Sequence, residues 1–382
     1  MLLATARSPL LRGLALALAL AVHVAARAVG LAVLALMART AGLDPVPRLA
    51  IWDGGWYLRI AEGGYADRLD PAVEATGSLA FYPLYPLLIR AVSTVTGLDG
   101  PTAGVLLSEL AAAVAAAGLY LLATRLWDRR TGVALVALWS AQPLSIVLSM
   151  VYTEALFTAL AVWALVALHR RQWLTTGLLA MFAGLTRSSG LGVAAAVATY
   201  ACWLWWRGQE RTGRQILATA LATAGPPLWW LWVGLRVDRL DGWFAVQDQI
   251  WGSRWDWGGS VMSLGAGMFT QQVRYGGEAV FVIAVTFALL IAAVLLLLEA
   301  VAQRVWWPLL VYAAVLLALT LGSAGYINSK PRFLVPIFPL LIPLALAAAR
   351  APQRVQLVGG ALVLLGSAWF GAYLLVVWPF AI

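Results

Sequence analysis

Asp53 stands in the run Ile51-Trp52-Asp53-Gly54-Gly55-Trp56-Tyr57-Leu58-Arg59-Ile60-Ala61-Glu62-Gly63-Gly64-Tyr65, an acid framed by glycines and aromatic rings. Two roles fit a carboxylate there. It can cap a helix start or sit as a surface acid in an aromatic belt; or it can act as a general base, taking a proton from a hydroxyl at a membrane surface. Trp52, Trp56 and Ile60 recur every fourth residue, so a helix places them on one face, with Asp53 and Tyr57 on the neighbouring stripe. Asp44-Pro45 and Pro47 signal a helix start, and Gly63-Gly64 a helix end. So much Trp and Tyr suits a helix lying flat at headgroup level. Gly54-Gly55 costs roughly 1 kcal/mol per glycine. A helix tolerates that where space is needed, for example for close approach by a ligand.

The rest of the chain must position this segment, and its composition is that of a membrane protein. Of 382 residues, 62% are hydrophobic and 11% charged, against roughly 45–50% and about 25% in soluble domains. This excludes an ordinary soluble enzyme, a disordered chain and a fibrous repeat. Apolar runs fall near 10–37, 101–123, 132–150, 153–168, 173–186, 189–206, 215–235, 278–299, 305–323, 332–349 and 356–378. They predict an all-α polytopic membrane protein with about eleven transmembrane helices in one domain over 1–382. The first run lacks a convincing cleavage site, so it reads as an anchor helix. The runs at 153–168 and 173–186 are short for a full span.

Arg7, Arg12, Arg125, Arg129, Arg130, Arg170, Arg171, Arg207, Arg211, Arg214, Arg304, Arg350 and Arg354 fall in one set of loops, with only Asp128, Glu210 and Glu299 opposing them. The positive-inside rule puts that face in the cytoplasm. It also explains the net charge of +9 without nucleic acid. Both long loops, 38–100 and 236–277, then lie outside the cytoplasm. The first holds a second short apolar stretch, Ser78-Leu79-Ala80-Phe81-Tyr82-Pro83-Leu84-Tyr85-Pro86-Leu87-Leu88-Ile89-Arg90, which reads as an interfacial or re-entrant helix. The second carries Trp243, Trp251, Trp255 and Trp257 with Asp238, Asp241, Asp248, Asp256 and Arg254, either a cover over a cavity or a surface for sugar rings.

A lone cysteine, Cys202, and two histidines, His23 and His169, exclude an internal disulfide and any Cys or multi-His metal site. Glu62, Asp67 and Asp70 could hold a cation, but no close acid pair adjoins Asp53; the expectation is an enzyme without cofactor or required metal. His23 and Arg27 share a face of the first span. An ionisable residue there is either functional or a side chain reaching the interface; Glu109 in the next span is a possible partner.

The blocks Trp52-Asp53-Gly54-Gly55-Trp56-Tyr57, Ile60-Ala61 with Gly64-Tyr65, Phe81-Tyr82-Pro83-Leu84-Tyr85-Pro86, Tyr152-Thr153-Glu154, Arg187-Ser188-Ser189-Gly190 and Ser329-Lys330-Pro331-Arg332-Phe333 occur in this order. Together they resemble the PIG-V-like family, which includes the second mannosyltransferase of GPI-anchor assembly and bacterial relatives. The C-terminal third matches mainly by hydropathy. The resemblance implies a GT-C membrane glycosyltransferase using a polyprenyl-phosphate sugar, most often mannose, at the extracytoplasmic face of the plasma membrane. It implies Asp53 as the base, and a glycolipid, glycan or protein as acceptor.

On that reading the leaving phosphate needs positive charge. Lys330 and Arg332 flank Pro331 at the mouth of a span and suit the task, Arg as a bidentate partner and Lys as a point charge; snorkelling at a helix end is the plainer account. Arg187 either meets phosphate or caps a helix. Glu154 either holds a sugar hydroxyl or pairs with Arg187. Trp52, Trp56, Tyr57, Tyr82 and Tyr85 are candidates for holding substrate. The rivals are the same scaffold with another lipid-phosphate sugar, and a lipid or sugar transporter or flippase. A transporter should show inverted repeats, and none is evident in the sequence.

Overall fold

The computed structural model describes residues 9–70, 74–270 and 277–382. Arg7, and the parts of the two long loops at 71–73 and 271–276, lie outside the described residues. Those described form helices and turns, with one isolated bridge between Trp255 and Ser323.

The chain opens with α1 (Pro9–Thr40), a short α2 (Pro45–Arg48), α3 (Asp53–Gly63), a 3-10 turn (Glu74–Ala80) and α4 (Leu84–Thr96). Then come α5 (Gly100–Leu126), α6 (Arg129–Ala141), α7 (Glu154–His169), α8 (Trp173–Gly184), α9 (Gly190–Trp206) and α10 (Gly213–Arg236). The second long loop holds α11 (Gly242–Gln249) and α12 (Gly259–Thr270). The last group is α13 (Gly277–Ala302), α14 (Trp307–Gly322), α15 (Lys330–Leu334), α16 (Ile342–Arg350) and α17 (Gln353–Val376).

Every apolar run named above coincides with helix, but not with equal helices. Among the described residues five, in α1, α5, α10, α13 and α17, are long and apolar enough to cross a membrane. Helices α7, α8, α9 and α14 are apolar but have only 12–17 residues, short of the roughly 20 that a bilayer core asks for. The run at 132–150 is broken: α6 stops at Ala141 and a 3-10 turn follows at Ser145–Leu148. The run at 332–349 is bent by 70° between Ile327–Leu334 and Phe338–Arg350. In the first long loop, Glu74–Ala80 and Leu84–Thr96 meet at 104°.

Small residues let these helices approach closely, as they must where apolar helices have no water to escape from. On α5, Ala103, Ala112, Ala115 and Ala116 are fully buried, and α5 packs on α7, α6 and α1. Helices α8, α9 and α10 converge at glycines. A Cβ on Gly190 would lie 2.3 Å from the Gly184 Cα, and one on Gly225 2.5 Å from the Met181 carbonyl oxygen. Gly190→Ala should therefore destabilise the protein by about 1–3 kcal/mol through overpacking. A thermal unfolding midpoint in detergent equal to wild type would contradict this.

Candidate active site

Asp53 owes its place to the turn before it. Trp52 has φ of +56°, which no α-helix continues, so α3 begins at Asp53. A side chain larger than glycine in this conformation stores of order 1–3 kcal/mol, held by its surroundings. The carboxylate sits in the first helical turn, where the free N–H groups favour negative charge. Gly64, with φ of +84°, ends the helix as expected. Gly54 packs against the protein: a Cβ there would sit 3.4 Å from the Val151 carbonyl oxygen, an ordinary contact distance.

Asp53 belongs to a linked set of four charged side chains from distant parts of the sequence. Arg332 Nη2 lies 2.6 Å from Asp53 Oδ2, and Arg332 Nε 3.8 Å from Glu154 Oε1. Arg187 pairs with the same Glu154 oxygen and donates to Thr153 Oγ1 at 2.9 Å. Glu154 opens α7 and is fully buried; Arg332 is 8% exposed. Two guanidinium groups and two carboxylates thus cancel, the arrangement that a poorly hydrated site requires. The guanidinium of Arg332 also lies 5.0 Å from the rings of Tyr152 and Phe333. Burial, then the charge of Asp53, pushes the Tyr57 phenol above its usual range, so it remains a neutral hydroxyl.

Asp53 and Arg332 border a cavity of about 710 Å³, which also draws on Tyr57, Tyr82, Arg187 and Lys330, a size usual for small-molecule sites. From the second long loop it takes Trp243, Trp251, Arg254 and Trp255. That loop is strapped to the end of α14: Asp256 N donates to Gly322 O at 3.0 Å and Ala324 N to Arg254 O at 2.7 Å. The Trp255 ring lies on Gly322, where a Cβ would be 2.3 Å away. Lys330 gives its ammonium to the Thr320 and Ser323 carbonyls, both at 2.6 Å, closing the C-terminal end of α14.

The other candidates fall elsewhere. Trp52, Trp56, Tyr85 and Glu154 are not among the cavity's lining residues. Trp52 precedes α3, off the helical face it was expected to share with Trp56 and Ile60. Trp56 stacks on Phe81 and meets Trp251 edge-on. Tyr85 is fully buried and bonds Ser108 at 2.7 Å and the Gly104 carbonyl at 3.1 Å. Glu154 stands behind the cavity, holding the two arginines. Glu62, Asp67 and Asp70 do not gather into a metal-binding group among the described residues. Trp230 also lines the cavity and was not singled out from the sequence; its Nε1 donates to the Tyr82 hydroxyl at 2.9 Å. The Trp229-Trp230 pair at the end of an apolar run was the available signal.

Residues 80–230 match the family described as dolichyl-phosphate-mannose-protein mannosyltransferase. Among curated proteins none matches the chain. Solved structures do. ArnT from Cupriavidus metallidurans bound to undecaprenyl phosphate superposes with a TM-score of 0.52 at 17% identity, over 89% of this chain and 63% of that one. Its apo state gives 0.50 at 17% identity, over 84% and 58%. The Archaeoglobus fulgidus oligosaccharyltransferase in complex with Zn and sulfate gives 0.50 at 13% identity, over 94% and 52%. This chain thus spans less than two thirds of the length of each. It is an integral multi-pass membrane protein with the fold of the GT-C membrane glycosyltransferases, and within that fold residues 80–230 match the mannosyltransferase family.

Proposed function

We propose that the protein is an inverting glycosyltransferase. It moves a sugar, most readily mannose, from a polyprenyl-phosphate donor to an acceptor hydroxyl, with Asp53 as general base. The observation that carries this reading is the pairing of Asp53 with Arg332 at 2.6 Å on the wall of one cavity. The donor's phosphate competes with the carboxylate for the Arg332 guanidinium, supported by Arg187. As the phosphate takes Arg332, Asp53 is released to accept the proton of an incoming hydroxyl. The acceptor oxygen then bonds the anomeric carbon, the bond from that carbon to the phosphate oxygen breaks, and polyprenyl phosphate leaves with the electron pair. Phosphate needs no protonation to leave, so one carboxylate suffices where a glycosidase needs two. Lys330 keeps the end of α14 in place and adds positive charge at the cavity wall.

Mannose is supported by the family match over 80–230 and by the resemblance of the Asp53, Tyr82 and Arg332 blocks to PIG-V-like enzymes. The test is transfer by the purified protein from radiolabelled polyprenyl-phosphate-mannose to extracted membrane lipids, glycans and peptides. Label should move to a new product as polyprenyl phosphate is released. Label that stays on the donor with every acceptor class, but moves from another lipid-phosphate sugar, would remove mannose and keep the scaffold.

The charge asymmetry of the loops supports an extracytoplasmic position for the cavity. The Asp67 side chain is 91% exposed at the rim of the first long loop. A cysteine there, as Asp67→Cys with Cys202→Ser, should be labelled by an impermeant maleimide on intact cells. Labelling only after permeabilisation would put the site on the cytoplasmic face.

A further inference from the structure

Arg27 is buried in the first span, 4% exposed, and His23 beside it is 1% exposed. A guanidinium inside a membrane is costly, so its partners show what it is for. Both nitrogens of its fork go to backbone: Nη2 donates to the Ser140 carbonyl at 2.5 Å and Nη1 to the Ser145 carbonyl. His23 Nδ1 lies 2.8 Å from Ser140 Oγ, and its ring stacks on Trp139. These carbonyls flank the break in the 132–150 run, where Gln142 is extended and Leu144 has φ of +61°. A broken helix leaves carbonyls without partners, and in lipid each must be satisfied from within the protein. Arg27 does this for one on each side of the break.

The segment that carries this break, 139–154, reaches three of the four charged members of the site. Toward α15, Trp139 Nε1 and Gln142 Nε2 both donate to the Val335 carbonyl, at 3.1 and 3.3 Å, and Val335 N bonds back to Arg332 O at 3.1 Å. Toward α3, Val151 N donates to Leu49 O at 2.8 Å, four residues before Asp53. Toward α7, the segment runs directly into Glu154. We propose that Arg27, acting through the break at 142–144, is a positioning residue: it fixes the one backbone segment from which Asp53, Glu154 and Arg332 all take their places. The catalytic half of this inference rests on the glycosyl-transfer reading; the structural half does not.

The experiment uses the full chain in lipid nanodiscs, with Arg27→Met and Gln142→Leu, hydrogen exchange as one readout and steady-state transfer as the other. Protection of the Val151 amide should fall about tenfold, with α10 and α13 unchanged. Turnover should fall ~10–100-fold, as small misplacements do, and the donor KM should rise with it, because Arg332, which meets the donor phosphate, loses its place together with Asp53. Arg27→Lys, which can reach one carbonyl but not both, should recover part of each effect. Asp53→Asn should lose transfer with Val151 protection intact, separating failure of the base from failure of the scaffold. If Arg27→Met does not fold, Gln142→Leu carries the same two readings without a charge change in the membrane. If the wild-type protein transfers no sugar, exchange alone decides. Wild-type protection at Val151 in both variants, or a loss spread evenly over all helices, would overturn the proposal.

Discussion

Asp53→Asn should lower turnover by ~10²–10⁴-fold, the usual worth of a general base, while donor affinity holds or rises. The second half of this result separates the base from a merely structural acid. In the resting site Asp53 occupies Arg332. Removing its charge leaves the guanidinium freer for phosphate, so the donor meets less competition. Arg332 retains Glu154 at 3.8 Å, so the variant keeps a balancing charge and should fold. Turnover measured at saturating acceptor, with the donor Kd measured separately, checks both halves. A variant that turns over at the wild-type rate would remove Asp53 as base; one that also loses donor binding would make it a structural partner of Arg332.

Arg332→Met should be more damaging, because it affects the fold and the chemistry together. Asp53 would lose the guanidinium it pairs with while Glu154 kept Arg187, and removing one partner of a largely buried pair costs about 3–5 kcal/mol. The donor's phosphate would also lose its main counter-charge, and kcat/KM should fall by ~10²–10³-fold, as when a preorganised donor is removed. Arg332→Lys supplies a point charge without the fork, so it should restore stability more than transfer. Thermal unfolding and donor titration on the same preparation separate the two contributions. Unchanged donor affinity in a folded Arg332→Met protein would rule out its role at the phosphate.

The helices of this protein were readable because each depends on its own composition. The end of α3 at Gly64 and the apolar runs from α5 to α17 follow from local chemistry. The site was readable only in part. Asp53, Glu154, Arg187 and Arg332 could each be singled out, but not their mutual pairing, since nothing local in the chain records that positions 53 and 332 are 2.6 Å apart. The aromatic candidates were the weakest reading. Tyr85 and Trp56 are large rings in a membrane-edge loop, and the sequence cannot distinguish a ring packed under a cavity from one lining it. The break at Gln142-Pro143-Leu144 lies inside an apolar run; Gln142 and Pro143 were its local signal, whereas nothing local ties it to the distant Arg27.

The central claim is that a lipid-borne phosphate takes Arg332 from Asp53 and so presents the sugar to the freed carboxylate. A structure of the protein with a polyprenyl-phosphonate sugar, which cannot be transferred, tests it directly. The account predicts the phosphonate against Arg332 and Arg187, the Asp53–Arg332 contact opened, and the anomeric carbon facing Asp53. A bound analogue with its phosphonate elsewhere, and Asp53 still paired to Arg332, would contradict it.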